Sequence, residues 1–277
     1  SARFSLAAMA ADDYPALPAM PGVAGTVDAH DLAQAVAQVV IAASRDETLP
    51  LLTSVQMQVE GERLTLMATD RYRLAVREMT WSPQDAGLTT HALLKARTLS
   101  DVAKSLTSTG DVTVALTEAG ASSSGLIGFE AGGRRTTSLL TDGDYPPVLR
   151  LFPEETTIHA AVGREELMAA VRRVSLVADR STPIHMSFTE DGLALDAGTG
   201  DDAQASERLD AHLEGQDIST AFNPGYLLDG LGAITRPYVT LDFTHPSKPA
   251  VLTGVSEIGG EADPSFRYLI MPIRFGA

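Results

Sequence analysis

The 277 residues predict an α+β protein built from two tandem copies of one domain, each with two helices packed on antiparallel sheets. Three observations carry this expectation. An amphipathic helical segment recurs further along the chain. Short alternating apolar segments, about eight per copy, outnumber the helices. Clusters of Gly, Pro and Asp punctuate those segments at hairpin spacing.

Residues 1–21 are rich in Pro and Ala (ADDYPALP, AMPG) and read as the tail of a preceding element followed by a linker. A helix is expected over 28–44, opened by Asp28 or His30, with Leu32, Val36, Val39 and Val40 at helical spacing. Residues 51–59 alternate, turn at Glu60-Gly61-Glu62 and return over 64–67 as a hairpin, and 73–79 continues as strand. A second helix over 95–106 places Leu99, Val102 and Leu106 on one face. Strands over 112–117, 126–130 and 136–140 follow, and 141–147 (TDGDYPP) is a dense turn.

The pattern then restarts. DLAQAVAQVVIAASRD (31–46) aligns with ELMAAVRRVSLVADRS (166–181), matching Leu32 to Leu167, Val36 to Val171 and Arg45 to Arg180. Pro50 and Pro183 follow the two helices, and Gly61 and Gly192 mark the two hairpin turns. The second helix recurs with Ala92, Leu99 and Val102 matching Ala221, Leu228 and Leu231, and DVTVAL (111–116) recurs as YVTLDF (238–243). The expected division is 1–21 as a tail, 22–153 as one domain and 154–277 as its copy, the two helices of each lying side by side on one sheet face.

No cysteine is present, which excludes a disulfide scaffold and cysteine-ligated metal and fits a cytoplasmic location. No apolar run reaches the roughly 18 residues of a membrane span. The stretch 1–11 has too short an apolar core for a leader peptide. The six histidines (His30, His91, His159, His185, His212, His245) show no metal-ligand spacing, and no nucleophile elbow or phosphate loop occurs. The glycines of 125–133 join strands, Asp142 and Asp144 belong to a turn, and Asp201-Asp202 lack the later ligands of a calcium loop. No catalytic constellation and no cofactor is expected.

The formal net charge of −15 argues by itself against nucleic acid. The basic residues, however, gather on or beside helices: Arg45, Lys95, Arg97, Lys104, Arg164, Arg172, Arg173 and Arg180. A shared helical surface would then be less negative than the rest and would attract phosphates without reading sequence. Lys and Arg are also simply good helix formers on a solvated face. On these residues alone the two accounts weigh the same.

Three stretches change that balance. LMATDRYRLAV (66–76), LLTDGDYPPVLRLFP (139–153) and YLIMPIRF (268–275) resemble, in order and spacing, three motifs of the bacterial sliding clamps, the beta subunits of DNA polymerase III. RFSLAAMAADDYPALP (3–18) is similar to the end of that family's first domain, so the resemblance extends over the whole chain as a first-domain tail plus the second and third domains. It implies tandem DNA-clamp (processivity-fold) domains, in a head-to-tail homodimeric ring with helices inside and sheets outside. The function implied is non-catalytic: encircling duplex DNA without sequence preference and tethering the replicative polymerase, the clamp loader and repair proteins. Without the rest of the first domain, such a chain is expected not to close a normal dimeric ring.

The same resemblance implies a pocket for a short linear motif with a Gln and Leu/Phe anchors. By position it comprises Leu52, Thr69, Arg71, Tyr72, Arg73, Leu74, Pro146, Arg150, Leu151, Leu269, Ile270, Met271, Pro272, Ile273 and Arg274. The apolar members would bury the anchors, each worth about 1.5–3 kcal/mol when fully buried, and Arg73, Arg150 and Arg274 would hold the rim. The residues it places toward DNA are Arg45, Lys95, Arg97, Lys104, Arg172, Arg173 and Arg180. Arg71 stands where the family often has Gly, which implies a bulkier or more basic rim, and Phe275 replaces the commoner Leu. The alternative within the family is a paralogue with an altered pocket, such as an antibiotic self-resistance copy, since cyclic peptides target this kind of pocket. A duplicated enzyme domain or a β-rich structural oligomer leaves the three motifs unexplained.

Overall fold

The computed structural model describes residues 2–106, 110–117, 125–177, 182–198 and 203–273. The first repeat runs β1 (Val23–Asp28), α1 (Ala29–Val40), β2 (Ser54–Glu60), β3 (Arg63–Thr69), β4 (Arg73–Thr80), β5 (Ser82–Pro83), β6 (Thr89–Lys95), α2 (Ala96–Leu106), β7 (Asp111–Leu116), β8 (Leu126–Ala131) and β9 (Arg134–Leu139). The second runs in the same order: β10 (Ile158–Gly163), α3 (Arg164–Val174), β11 (Ile184–Thr189), β12 (Gly192–Ala197), β13 (Ala205–Leu209), β14 (Ala211–Glu214), β15 (Ile218–Phe222), α4 (Pro224–Ala233), β16 (Tyr238–Phe243), β17 (Ala250–Val255) and β18 (Ala262–Ile270).

Each helix forms for a local reason. The Asp28 carboxylate caps α1 by accepting from the backbone N–H groups of His30 (2.8 Å) and Asp31 (3.0 Å). Leu32, Ala35, Val36 and Val39 then form a buried stripe, and Leu167, Ala170, Val171 and Val174 repeat it on α3. Asn223 caps α4 through Tyr226 N–H (3.1 Å), with Pro224 in the first turn. The helices pair as α1 with α2 and α3 with α4, and the buried Gln38 amide of α1 donates to Ala233 O at the end of α4 (2.8 Å).

All sheet pairings are antiparallel. One sheet is ordered β5-β1-β7-β8-β9 and another β13-β12-β11-β15. The third, with nine strands, crosses the repeats: β14-β10-β16-β17-β18-β4-β3-β2-β6. Its seam is β18 against β4, in register from Phe266↔Arg77 to Ile270↔Arg73.

Alternation along the seam strands divides their side chains between two faces. Leu66, Ala68, Ala75, Tyr268 and Ile270 join the main core together with the buried stripes of the helices. Met67, Leu74, Val76, Leu93 and Leu269 point the other way, into a second cluster closed by Tyr145 and Val148.

Three expectations are corrected. The first helix ends at Val40 rather than near Ser44, because Ala42 and Ala43 turn back onto Val39 and Val40 and Ser44 N–H meets Leu52 O (2.8 Å), so Arg45 lies well past the helix end. In α4 the fully buried positions are Leu227 and Leu231, whereas Leu228 is only partly buried, so Leu99 corresponds to Leu227. The edge strands β5 and β14 were not expected. No helix among the described residues is long and apolar enough to cross a membrane.

Candidate functional site

The three sequence motifs converge on the seam. The turn between β3 and β4 is built by its own polar side chains. The Thr69 hydroxyl donates to Arg73 O (2.6 Å) and accepts from Arg71 N–H (3.2 Å). Asp70 Oδ1 accepts from the N–H groups of Tyr72 (3.0 Å) and Arg73 (3.1 Å). This closes the loop so tightly that Arg71 takes φ = 83°, the one positive value at a non-glycine position among the described residues.

Beyond the turn the two repeats interlock. Arg73 is buried, and its guanidinium donates to Asp70 Oδ2 (2.9 Å) and Asp229 Oδ2 (2.5 Å) and lies 4.3 Å from the centre of the Tyr226 ring. That ring also stacks with exposed Tyr72, centroids 6.2 Å apart. Tyr226 is fixed from behind, because the Tyr268 hydroxyl donates to its carbonyl (2.8 Å). Burial pushes the Tyr268 phenol well above its ordinary pKa, so it remains a donor. Gly230 makes this approach possible: a Cβ there would come within 2.5 Å of the Tyr268 ring.

The segment 139–153 is tied to the same place. Thr69 N–H donates to the Tyr145 hydroxyl (3.0 Å), Thr141 N–H to Leu93 O (2.8 Å), and the hydroxyls of Ser54 and Thr141 meet at 3.0 Å. Val148 is buried in the outer cluster, while Leu149, Arg150 and Leu151 are exposed around it. Past β18, Met271 N–H pairs with Tyr72 O (2.8 Å) and Ile273 N–H with Ala221 O (2.8 Å). An exposed apolar surface results, with Tyr72 54%, Leu151 53% and Met271 38% accessible, close to a buried apolar floor.

Most of the expected pocket residues are thus gathered at one end of the seam. Leu74 and Leu269 form the floor, Tyr72, Leu151, Pro146 and Met271 are exposed, and Leu52, Pro272 and Ile273 are half-buried. Two residues differ from expectation. Ile270 points into the helical core and is fully buried, because strand alternation puts it on the opposite face from Leu269. Arg73 is no rim residue, since its guanidinium is enclosed by Asp70, Asp229 and Tyr226. Arg274 lies outside the described residues.

A polar cleft of 450 Å³ adjoins this surface, lined by residues 43–46, 70–73, Asn223, Gly225, Tyr226 and Asp229. Asn223, Tyr226 and Asp229 were not anticipated, although the helix that carries them was expected from its match to the second helix of the first repeat. Arg45, expected toward DNA, lines this cleft.

Of the other basic residues, Arg97 and Arg172 are exposed on α2 and α3, and Lys95 is exposed at the end of β6. Lys104 bridges to Asp101 and Arg173 to Glu207. Arg180 lies outside the described residues. The four helices together carry as many acidic as basic residues, against −15 for the whole chain. Among the described residues no group of three or more His, Asp or Glu is placed to hold a metal ion.

Comparison with known proteins gives this geometry a family. Residues 26–147 match the central domain of the DNA polymerase III beta subunit, and residues 149–274 match its C-terminal domain. The chain belongs to the DNA polymerase III beta subunit family. It is 52% identical over 274 residues to the beta sliding clamp of Streptomyces coelicolor, an alignment covering 99% of this chain and 73% of the relative. It is 43% identical over 275 residues to the beta sliding clamp homolog GriR of Streptomyces muensis, with 99% and 73% covered. The Bacillus subtilis sliding clamp superposes with a TM-score of 0.87 at 26% identity, over 97% of this chain and 69% of that one. A Pseudomonas aeruginosa clamp bound to griselimycin shares the fold, with a TM-score of 0.86 at 22% identity over 96% and 70%. The repeated helices-on-sheets architecture is therefore the sliding-clamp fold.

Proposed function

We propose that this chain acts as a non-catalytic replication processivity factor, forming part of a ring around duplex DNA and tethering the polymerase and other partners through the surface at the β4–β18 seam. The observation that carries the tethering site is the exposed group Tyr72, Leu151 and Met271 beside the buried floor of Leu74, Leu269 and Val148. Apolar side chains held on two rigid strands and a short helical turn favour a linear motif with Leu or Phe anchors. Arg150 adds a charge-assisted donor at the exposed edge. The clamp loader and repair proteins would use the same motif class.

The helical layer is the surface we assign to DNA. Its lack of net charge, on a molecule that is otherwise acidic, supports this orientation, with Arg97 and Arg172 free to face phosphates. A topological ring needs only a weak inner attraction, because affinity comes from enclosure.

The test is fluorescence anisotropy with a labelled peptide carrying a Gln-x-Leu-x-Leu-Phe motif, titrated with this chain and with its Met271→Glu, Arg150→Ala double variant. Saturable binding lost in the variant supports the tether. A folded wild-type chain that fails to bind rules it out. The relation to GriR favours one second reading, a clamp copy with an altered response to cyclic peptides. Titration with griselimycin, the ligand of the Pseudomonas aeruginosa structure, separates the two: tight binding favours the replicative clamp, and its absence alongside intact motif binding favours the copy.

A further inference from the structure

The chain has eight methionines and no cysteine, so methionine is the one side chain here that a mild peroxide oxidises reversibly. Met57, Met67, Met168 and Met186 are buried in the two repeats, and Met20 and Met79 are half-buried. Two methionines are exposed: Met9 in the N-terminal segment and Met271 just past β18. Susceptibility follows exposure, so within the folded repeats an oxidant meets Met271 first.

The backbone presents this thioether rigidly. Ile270 is anchored in the helical core, and Met271 N–H is held by Tyr72 O (2.8 Å). Pro272 follows with its restricted φ, and Ile273 N–H is held by Ala221 O (2.8 Å). These ties leave the segment little room to carry Met271 into the interior. Around it lie exposed Tyr72 and Leu151, close to the buried floor of Leu74 and Leu269. An oxygen added to the Met271 sulfur would therefore stand on the surface that apolar anchors cover. A sulfoxide is a strong acceptor that loses its water when covered, and a Leu or Phe side chain offers no donor in return.

We propose that Met271 is a reversible oxidation site that switches the docking surface off while the fold stays intact. This rests on the tethering reading above. Hydrogen peroxide supplies the oxygen. Its O–O bond breaks, an S–O bond forms at the Met271 thioether and water leaves, with the sulfur oxidised and the peroxide reduced by two electrons. A dithiol-dependent sulfoxide reductase reverses the step, the oxygen leaving as water while two thiols close to a disulfide. The four buried methionines are shielded from the oxidant, so the cores keep their packing.

The experiment treats the wild-type chain, Met9→Leu and Met271→Leu with hydrogen peroxide, removes the excess with catalase and maps the added oxygen by peptide mass spectrometry. Fluorescence anisotropy then follows a labelled Gln-x-Leu-x-Leu-Phe peptide that contains neither Met nor Cys. Each protein is compared with its own untreated sample, so the starting affinity of Met271→Leu does not enter. Oxidised wild type and oxidised Met9→Leu should bind on the order of tenfold more weakly, as covering an uncompensated polar group implies. Met271→Leu should show a ratio near one, and methionine sulfoxide reductase with dithiothreitol should restore the wild type. Circular dichroism should be the same before and after treatment. Met271 oxidised with binding unchanged, or Met271 left unoxidised while Met9 reacts, overturns the switch and leaves the tether standing. An equal loss in Met271→Leu, or a loss accompanied by unfolding, also overturns it. Failure of the untreated wild type to bind overturns the tether itself.

Discussion

Arg73 on β4 and Asp229 on α4, 156 residues apart in sequence, meet at 2.5 Å and pin the two repeats together at the end of their shared sheet. The pair is asymmetric: the Arg73 side chain is 7% exposed and that of Asp229 is 45%. Arg73 also neutralises Asp70, which is itself only 11% exposed.

Truncating Arg73 therefore removes more than one contact. Arg73→Ala leaves the largely enclosed Asp70 carboxylate without its counter-charge and Tyr226 without its cation. Breaking a buried pair from one side costs about 3 kcal/mol or more, so the midpoint of urea unfolding should fall clearly. Asp229→Ala removes the more solvated partner and should cost about 1 kcal/mol or less. Equal losses for the two would refute the asymmetry.

Gly230 allows α4 to lie directly on the ring of Tyr268. Gly230→Ala gains helix propensity yet forces a methyl group into a fully buried aromatic side chain. Overpacking of this kind costs about 1–3 kcal/mol, which exceeds the gain. Because Tyr268 also donates to Tyr226 O, motif binding at the Tyr72–Tyr226 stack should weaken together with stability. A variant as stable as wild type would show that α4 can shift away without loss.

Local patterning explains which of these features could be read from sequence. The stripe Leu32, Val36, Val39 and its copy on α3 follow from helical periodicity, and the turns at Gly61 and 141–147 from their residue types. The three site motifs stand out by family resemblance rather than by local patterning. The Arg73–Asp229–Tyr226 lock was not readable, because its parts belong to different repeats and meet only through the β4–β18 register. The slip in α4 has a local cause: Asn223 and Pro224 start the helix where Lys95 ends a strand in the first repeat, so Leu227 rather than Leu228 inherits the role of Leu99. The first helix stops at Val40 rather than Ser44, because Ser44 N–H pairs with Leu52 O instead of continuing the helical ladder.

The conformation of Arg71 makes a second stability prediction. Glycine tolerates φ = 83° freely, whereas a β-branched residue is strongly disfavoured there. Arg71→Gly should unfold at the same denaturant concentration as wild type or higher, and Arg71→Val should lose about 1–2 kcal/mol. If valine were tolerated as well as glycine, the turn would have to relax in solution.

Asp242 gives a pH dependence with a defined sign. It lies on β16 opposite His159 of β10, its Oδ1 2.8 Å from His159 Nδ1. Burial raises its carboxyl pKa, and the histidine only partly offsets this. The folded chain therefore holds this proton more tightly than the unfolded chain does. The resulting stabilisation is complete below the unfolded carboxyl value of about 3.9 and is lost as pH rises through the folded value. Asp242→Asn carries no charge at any pH and keeps a side-chain oxygen facing His159. Its melting temperature, relative to wild type, should therefore improve as pH is raised from 4 to 7. A melting-temperature difference that stays constant across this range, or that turns against the Asn variant at neutral pH, would mean that Asp242 ionises in the fold without penalty.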